Sequence, residues 1–118
     1  MSNEAKNPGE VTLCVSNGYK KKFYLNETFN QLPQSIREEL KIMCVLYTED
    51  VGGILELVFD EDGTLEFKTS CEENDFLYDE IGSVLKIKQY QNEKRDLLEA
   101  LEMFYKIIYL GEGFDEED

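Results

Sequence analysis

The run Val11-Thr12-Leu13-Cys14-Val15 alternates apolar and polar positions and ends in Ser16-Asn17-Gly18. Tyr19 to Leu25 then places Tyr19, Lys21, Phe23 and Leu25 on one face and Lys20, Lys22 and Tyr24 on the other. Two short runs joined at Asn17-Gly18 predict a β-hairpin with a type I′ turn, which needs positive φ at both central positions. A helix is expected next. Pro33 suits its first position, Glu38 and Glu39 complement the dipole in its early turns, and Ile36, Leu40, Met43 and Tyr47 fall on one face. Ile42, Cys44, Val45 and Leu46 fill its other sides, so cover is expected on more than one flank. Periodicity alone also allows Ile42–Tyr47 to be a buried strand. Gly52-Gly53 supplies the stop.

Ile54–Phe59 and Thr64–Thr69 flank Asp60-Glu61-Asp62-Gly63. Leu65 and Phe67 alternate with Glu66 and Lys68, which predicts a second hairpin turning at Asp-Gly. From about Asp75 to Leu110 the pattern is helical. Leu77, Ile81, Val84 and Leu85 make one apolar stripe; Leu97, Leu98, Leu101, Phe104, Tyr105 and Ile108 make a stronger one. No Pro interrupts residues 76–110, but a single helix would be about 50 Å long at 1.5 Å per residue. A break near Gln91-Asn92 is therefore expected. Gly111 ends the helical region. The order ββαββαα predicts an α+β domain: two antiparallel hairpins in a sheet, with helices packed on one face. The domain spans 10–110, between a loose polar arm over 1–9 and an acidic tail over 111–118.

Composition narrows the chemistry. The 118 residues carry 26 Asp+Glu against 12 Lys+Arg, net −14, with no His. Without His, no Ser-His-Asp triad, Cys-His dyad or H-E-x-x-H zinc helix can form within the chain. Such acidity repels nucleic acid phosphates and anionic membranes, so neither is expected as a partner. It is unevenly spread. Residues 1–32 hold four Lys against three Glu, whereas residues 33–118 hold 8 basic against 23 acidic residues. Cys14, Cys44 and Cys71 are odd in number and form no C-x-x-C pattern. With no signal-like N-terminus and no membrane-length apolar run, a cytoplasmic location is expected.

The run LPQSIREELKIMCVLYTEDVGGILELVFDEDGTLEFKT, with YDEIGSVLKIKQYQ and LLEALEMFYK downstream, resembles a family of short acidic proteins from clostridia and related Firmicutes. That family is a domain of unknown function. The resemblance implies a bacterial, cytosolic, single-domain protein, and brings no activity, cofactor or site residue with it.

Candidate chemistry is sparse. An EF-hand register with Gly63 sixth puts Val58 first and Thr69 twelfth, where calcium needs oxygen ligands that Val58 lacks and a bidentate acid that Thr69 is not. Glu93, Asp96, Glu99 and Glu102 recur every third residue, with Glu38 and Glu39 on another helix; Glu93, Asp96 and Glu99 are the weak candidates for a magnesium site. They lie largely opposite the Leu97/Leu101/Phe104/Ile108 stripe, as a solvated face does. Lys20-Lys21-Lys22 between Tyr19 and Phe23-Tyr24 mixes bases with aromatics, but reads as a protected edge strand. Cys44 sits mid-helix among apolar residues, a packing position, Cys14 lies in a strand, and acids rather than bases follow Cys71, so none is a good nucleophile. Phe104, Tyr105 and Tyr109 are the candidate interaction residues, if the last helix exceeds what four strands cover. The expectation is a non-catalytic protein-interaction module without cofactor, with a possible basic protein partner and a possible homodimer. Immunity/antitoxin-like and chaperone-like roles fit by analogy. The alternative is a magnesium-dependent enzyme using clustered carboxylates.

Overall fold

The chain pairs its strands out of sequence order. In the computed structural model, which describes residues 9–111, strands β1 (Val11–Asn17), β2 (Lys22–Leu25), β3 (Ile54–Phe59) and β4 (Leu65–Ser70) form one antiparallel sheet in the order β2-β1-β3-β4. A 3₁₀ turn (Glu27–Phe29) and helix α1 (Gln34–Val51) link its two hairpins; α2 (Glu80–Glu93) and α3 (Arg95–Ile108) complete the chain. The expected ββαββαα order of an α+β protein is the observed one. Apart from Gly9 and Gly111, the arm over 1–9 and the tail over 111–118 lie outside the described residues.

A β-bulge decides which side of β1 faces the core. The register steps from Thr12↔Val58 to Cys14↔Leu57, leaving Leu13 as the extra residue. The slip sets Cys14 and Ser16 on the side of Leu57 and Leu55, and Val11 beside Phe59 on that same side. Thr12 is sent outward and donates to Glu56 Oε2 at 2.7 Å. Simple alternation would have turned Thr12 inward.

Helices α1 and α3 cover that inner face. Cys14 Sγ lies 3.9 Å from Cys44 Sγ, and Ser16 Oγ lies 2.9 Å from Thr48 Oγ1, which binds α1 to β1. On α1, Leu40, Met43, Cys44, Tyr47 and Val51 are buried. Ile42 and Leu46 are 59% and 47% exposed. The helix is thus covered less widely than its apolar middle suggests. Helix α3 docks through stacked rings: Tyr105 on Phe59 at 4.2 Å, Tyr109 on Tyr105 at 4.8 Å and Phe29 on Tyr109 at 5.3 Å. Each such pair adds about 0.5–1.5 kcal/mol beyond its buried area.

Three local expectations are corrected. The first hairpin has no two-residue type I′ turn: Asn17 pairs with Lys22, residues 18–21 form the loop, and its positive φ falls on Lys21 (54°) instead of Gly18. Asn17 acts through its side chain, accepting from the N–H groups of Tyr19 and Lys20. The second hairpin turns where expected, with Gly63 at φ 87° and its N–H donating to Asp60 O, a type I turn followed by a left-handed glycine. Helix α2 begins at Glu80 rather than Asp75, capped by Asp79, whose Oδ1 accepts from Gly82 N–H at 2.8 Å. The break between α2 and α3 falls at Lys94 (φ −107°, ψ 27°), two residues after the expected Gln91-Asn92.

Candidate functional site

The largest correction concerns which face of α2 is buried. Leu77, Ile81, Val84 and Leu85, expected as core, are 93%, 76%, 55% and 63% exposed, and Phe76 beside them is 91% exposed. The buried face is more polar. Ser83 and Tyr90 are buried, and Tyr78 and Ile87 pack against the core. Hydroxyl pairing makes this possible: Tyr47 Oη lies 2.6 Å from Ser83 Oγ and 3.5 Å from Tyr78 Oη. A buried hydroxyl with a partner costs little, so the polar face can turn inward. Burial of Tyr47 pushes its phenol pKa well up, outweighing the Ser83 contact, which lowers it.

The segment that presents Phe76 and Leu77 is anchored. Tyr19 Oη donates to Asp75 Oδ2 and accepts from Glu72 N–H at 2.9 Å. Leu77 N–H donates to Asp75 Oδ1 at 3.0 Å. The Asp75 contact raises the Tyr19 pKa. The ring of Tyr78 closes over Gly53, where an added Cβ would stand 2.7 Å from the ring and 2.6 Å from Ser70 O. Gly53 also has φ +72°, so that position needs glycine twice over. The next turn, Ile81, Val84 and Leu85, presents one apolar face at spacings of three and one. On α1, Glu39, Ile42, Leu46 and Asp50 form a single stripe whose ends pair with Lys94 (3.6 Å) and Lys86 (2.9 Å). Exposed Ile42 and Leu46 therefore border α2.

The interaction residues expected on α3 lie elsewhere in the packing. Tyr105 is buried, Phe104 is half-buried, and Tyr109 is 38% exposed but stacked on Phe29 and Tyr105. Burial raises the Tyr105 pKa. These rings hold α3 to the sheet. The more exposed side chains at that end are Met103 and Ile108, at 59% and 56%.

The weak metal candidates do not come together. Glu93, at the end of α2, accepts from Gln89; Asp96 and Glu99 stand exposed on α3. Glu102 accepts from the Leu65 N–H at 2.8 Å, spending its carboxylate on the start of β4. The Asp60 carboxylate likewise accepts from Asp62 and Thr64 N–H inside the hairpin turn. Among the described residues, no three His, Cys, Asp or Glu side chains are placed to hold a metal ion. No buried side-chain polar atom among them lacks a hydrogen-bond partner.

A cleft lies on another flank of α1. It has a volume of about 470 Å³ and is lined by Asn17, Lys21, Lys22, Phe23, Lys41 and Glu49, among others. It gathers part of the positive charge of the near-neutral N-terminal region. All three lysines are exposed, so an anion would feel only a screened attraction there.

The class is now defined: an α+β protein with a four-stranded antiparallel sheet, helices on one face, and its principal uncovered apolar surface on and before α2. A model described as a family of unknown function (DUF6145) matches residues 10–113, and the chain belongs to that family. No curated protein and no solved structure matches the chain. No helix among the described residues is long and apolar enough to cross a membrane.

Proposed function

We propose that this chain is a non-catalytic protein-interaction module of the cytoplasm, with an acidic body suited to a basic protein partner. The observation that carries the proposal is the exposure of Phe76, Leu77, Ile81, Val84 and Leu85 on an anchored backbone. Exposed apolar side chains gathered in one segment, with charged residues before and after them, mark contact sites on proteins. The charge of −14 supports a basic partner and disfavours nucleic acid and anionic membranes. Immunity/antitoxin-like and chaperone-like roles share this combination of apolar contact and acidic rim. No observation favours a magnesium-dependent enzyme, because its candidate carboxylates stand apart or are used in turns.

The test is capture of bound protein from native lysate by wild-type chain and by Leu85→Glu, compared at low salt. Leu85 is exposed, so the variant keeps its fold by circular dichroism. The expected result is a stoichiometric protein retained by the wild type and lost by the variant. Identical capture by both, or none by either together with no self-association, defeats the proposal.

A further inference from the structure

We infer, building on the interaction-module reading, that the apolar face of α2 seats α2 of a second copy of this chain, antiparallel, across a twofold axis beside Val84. Area is the first reason. Phe76, 91% exposed, and the aliphatic Leu77, Ile81, Val84 and Leu85, 55–93% exposed, together present on the order of 500 Å² of side chain, well over half of the ~800 Å² each partner buries in a stable interface. Two copies of the same patch meeting face to face supply the apolar centre of such an interface, and the charged positions around it supply the rest.

Charge is the second reason, and it sets the direction. Residues 72–80 hold five acids, Glu72, Glu73, Asp75, Asp79 and Glu80, and no base. Residues 86–95 hold Lys86, Lys88, Lys94 and Arg95 against Glu93 alone. The segment is acidic at its start and basic at its end. Parallel pairing sets like charge on like. Antiparallel pairing sets the acidic start of each copy over the basic end of the other, and the opposed helix dipoles agree with it.

The register follows from which lysine is available. Lys86 and Lys94 are tied to Asp50 and Glu39 of their own chain. Lys88 is exposed and makes no ion pair among the described residues, and it follows Val84 and Leu85 by four and three positions on the same face. With the axis at Val84, Lys88 of the partner subunit stands against Glu80. Both sit four residues, about 6 Å, from the axis.

Sedimentation equilibrium of the full chain near physiological salt tests this. Wild type should sediment as a dimer; Leu85→Glu should be monomeric with an unchanged circular dichroism spectrum. Glu80→Lys and Lys88→Glu should each weaken the dimer, and the double variant should recover it, since only antiparallel pairing places those two residues together. Val84→Cys in a Cys71→Ser background should form an intersubunit disulfide under mild oxidation. A monomeric wild type at every concentration, a dimer indifferent to Leu85→Glu, or a double variant weaker than both single ones overturns the proposal. If the wild type is monomeric yet Leu85→Glu abolishes capture of a different protein, the dimer falls and the interaction module stands. If Leu85→Glu changes neither, both fall.

Discussion

Tyr47 shows how one side chain couples packing to pH. Its ring is fully buried between α1 and α2, and its hydroxyl meets Ser83 and Tyr78. Burial favours the neutral phenol, so its folded pKa lies above the unfolded value of about 10. The sign follows directly. Below pH ~10 both states are protonated and the contribution to stability is whole; above it the unfolded chain ionises first, and stability falls as pH rises. Each such phenol removes at most about 1.4 kcal/mol per pH unit there. Tyr90 and Tyr105, raised for the same reason, add to the slope. Urea unfolding at neutral pH and at about pH 11 should therefore show a marked alkaline loss. Tyr47→Phe should cost about 1 kcal/mol at neutral pH, by orphaning Ser83, and should make the alkaline loss shallower. An unchanged alkaline slope in the variant would show that Tyr47 ionises as freely folded as unfolded.

Of the three α-helices, α2 is the one whose start is closed by a side-chain cap. Its N-cap is Asp79, its first turn contains Gly82, and its buried face is short of aliphatic groups. Asp79→Ala should cost about 1 kcal/mol in a thermal melt, with Asp79→Asn retaining most of the stability. Hydrogen exchange should place the loss in the first turn of α2, leaving α1 and β3 protected; uniform acceleration would mean that the cap is not what holds that turn. This helix also marks the limit of what was legible in the chain. The β3–β4 hairpin was readable because Asp60 and Gly63 act within five residues of one another. The aromatic stripe of α3 was readable as a packing face because its burial follows hydrophobic periodicity. On α2 periodicity points to the more apolar face as the buried one, and the structure buries the face bearing Ser83 and Tyr90 instead. What reverses the choice is a hydroxyl partner on α1, Tyr47, which stands 36 residues from Ser83 in sequence. The bulge at Leu13 was hidden for a related reason: it is defined by pairing with β3, not by anything local. The candidate site was therefore the least legible part, since it consists of the residues whose burial was misassigned.

On the scale of the whole molecule, two kinds of contact are proposed, and salt acts on them with opposite signs. Two copies each carrying −14 repel one another over about 30 Å at 10 mM ionic strength, and over only about 8 Å near physiological salt. The repulsion belongs to the entire body, whereas the apolar face of α2 and the Glu80–Lys88 pairs act only at contact. Raising salt from low to physiological therefore screens the larger, longer-range term first. Self-association should tighten over that range, because apolar burial is not weakened by screening. A basic partner drawn to the acidic body behaves in the reverse way: the attraction being screened is the one that brings it in, so its association slows and its affinity falls as salt rises. Sedimentation equilibrium across a salt series should show the homodimer fraction rising, while binding of any captured basic protein over the same series should decline. A homodimer that dissociates steadily as salt rises would mean that its contacts are chiefly ionic, and that the exposed apolar face of α2 is not what joins the copies.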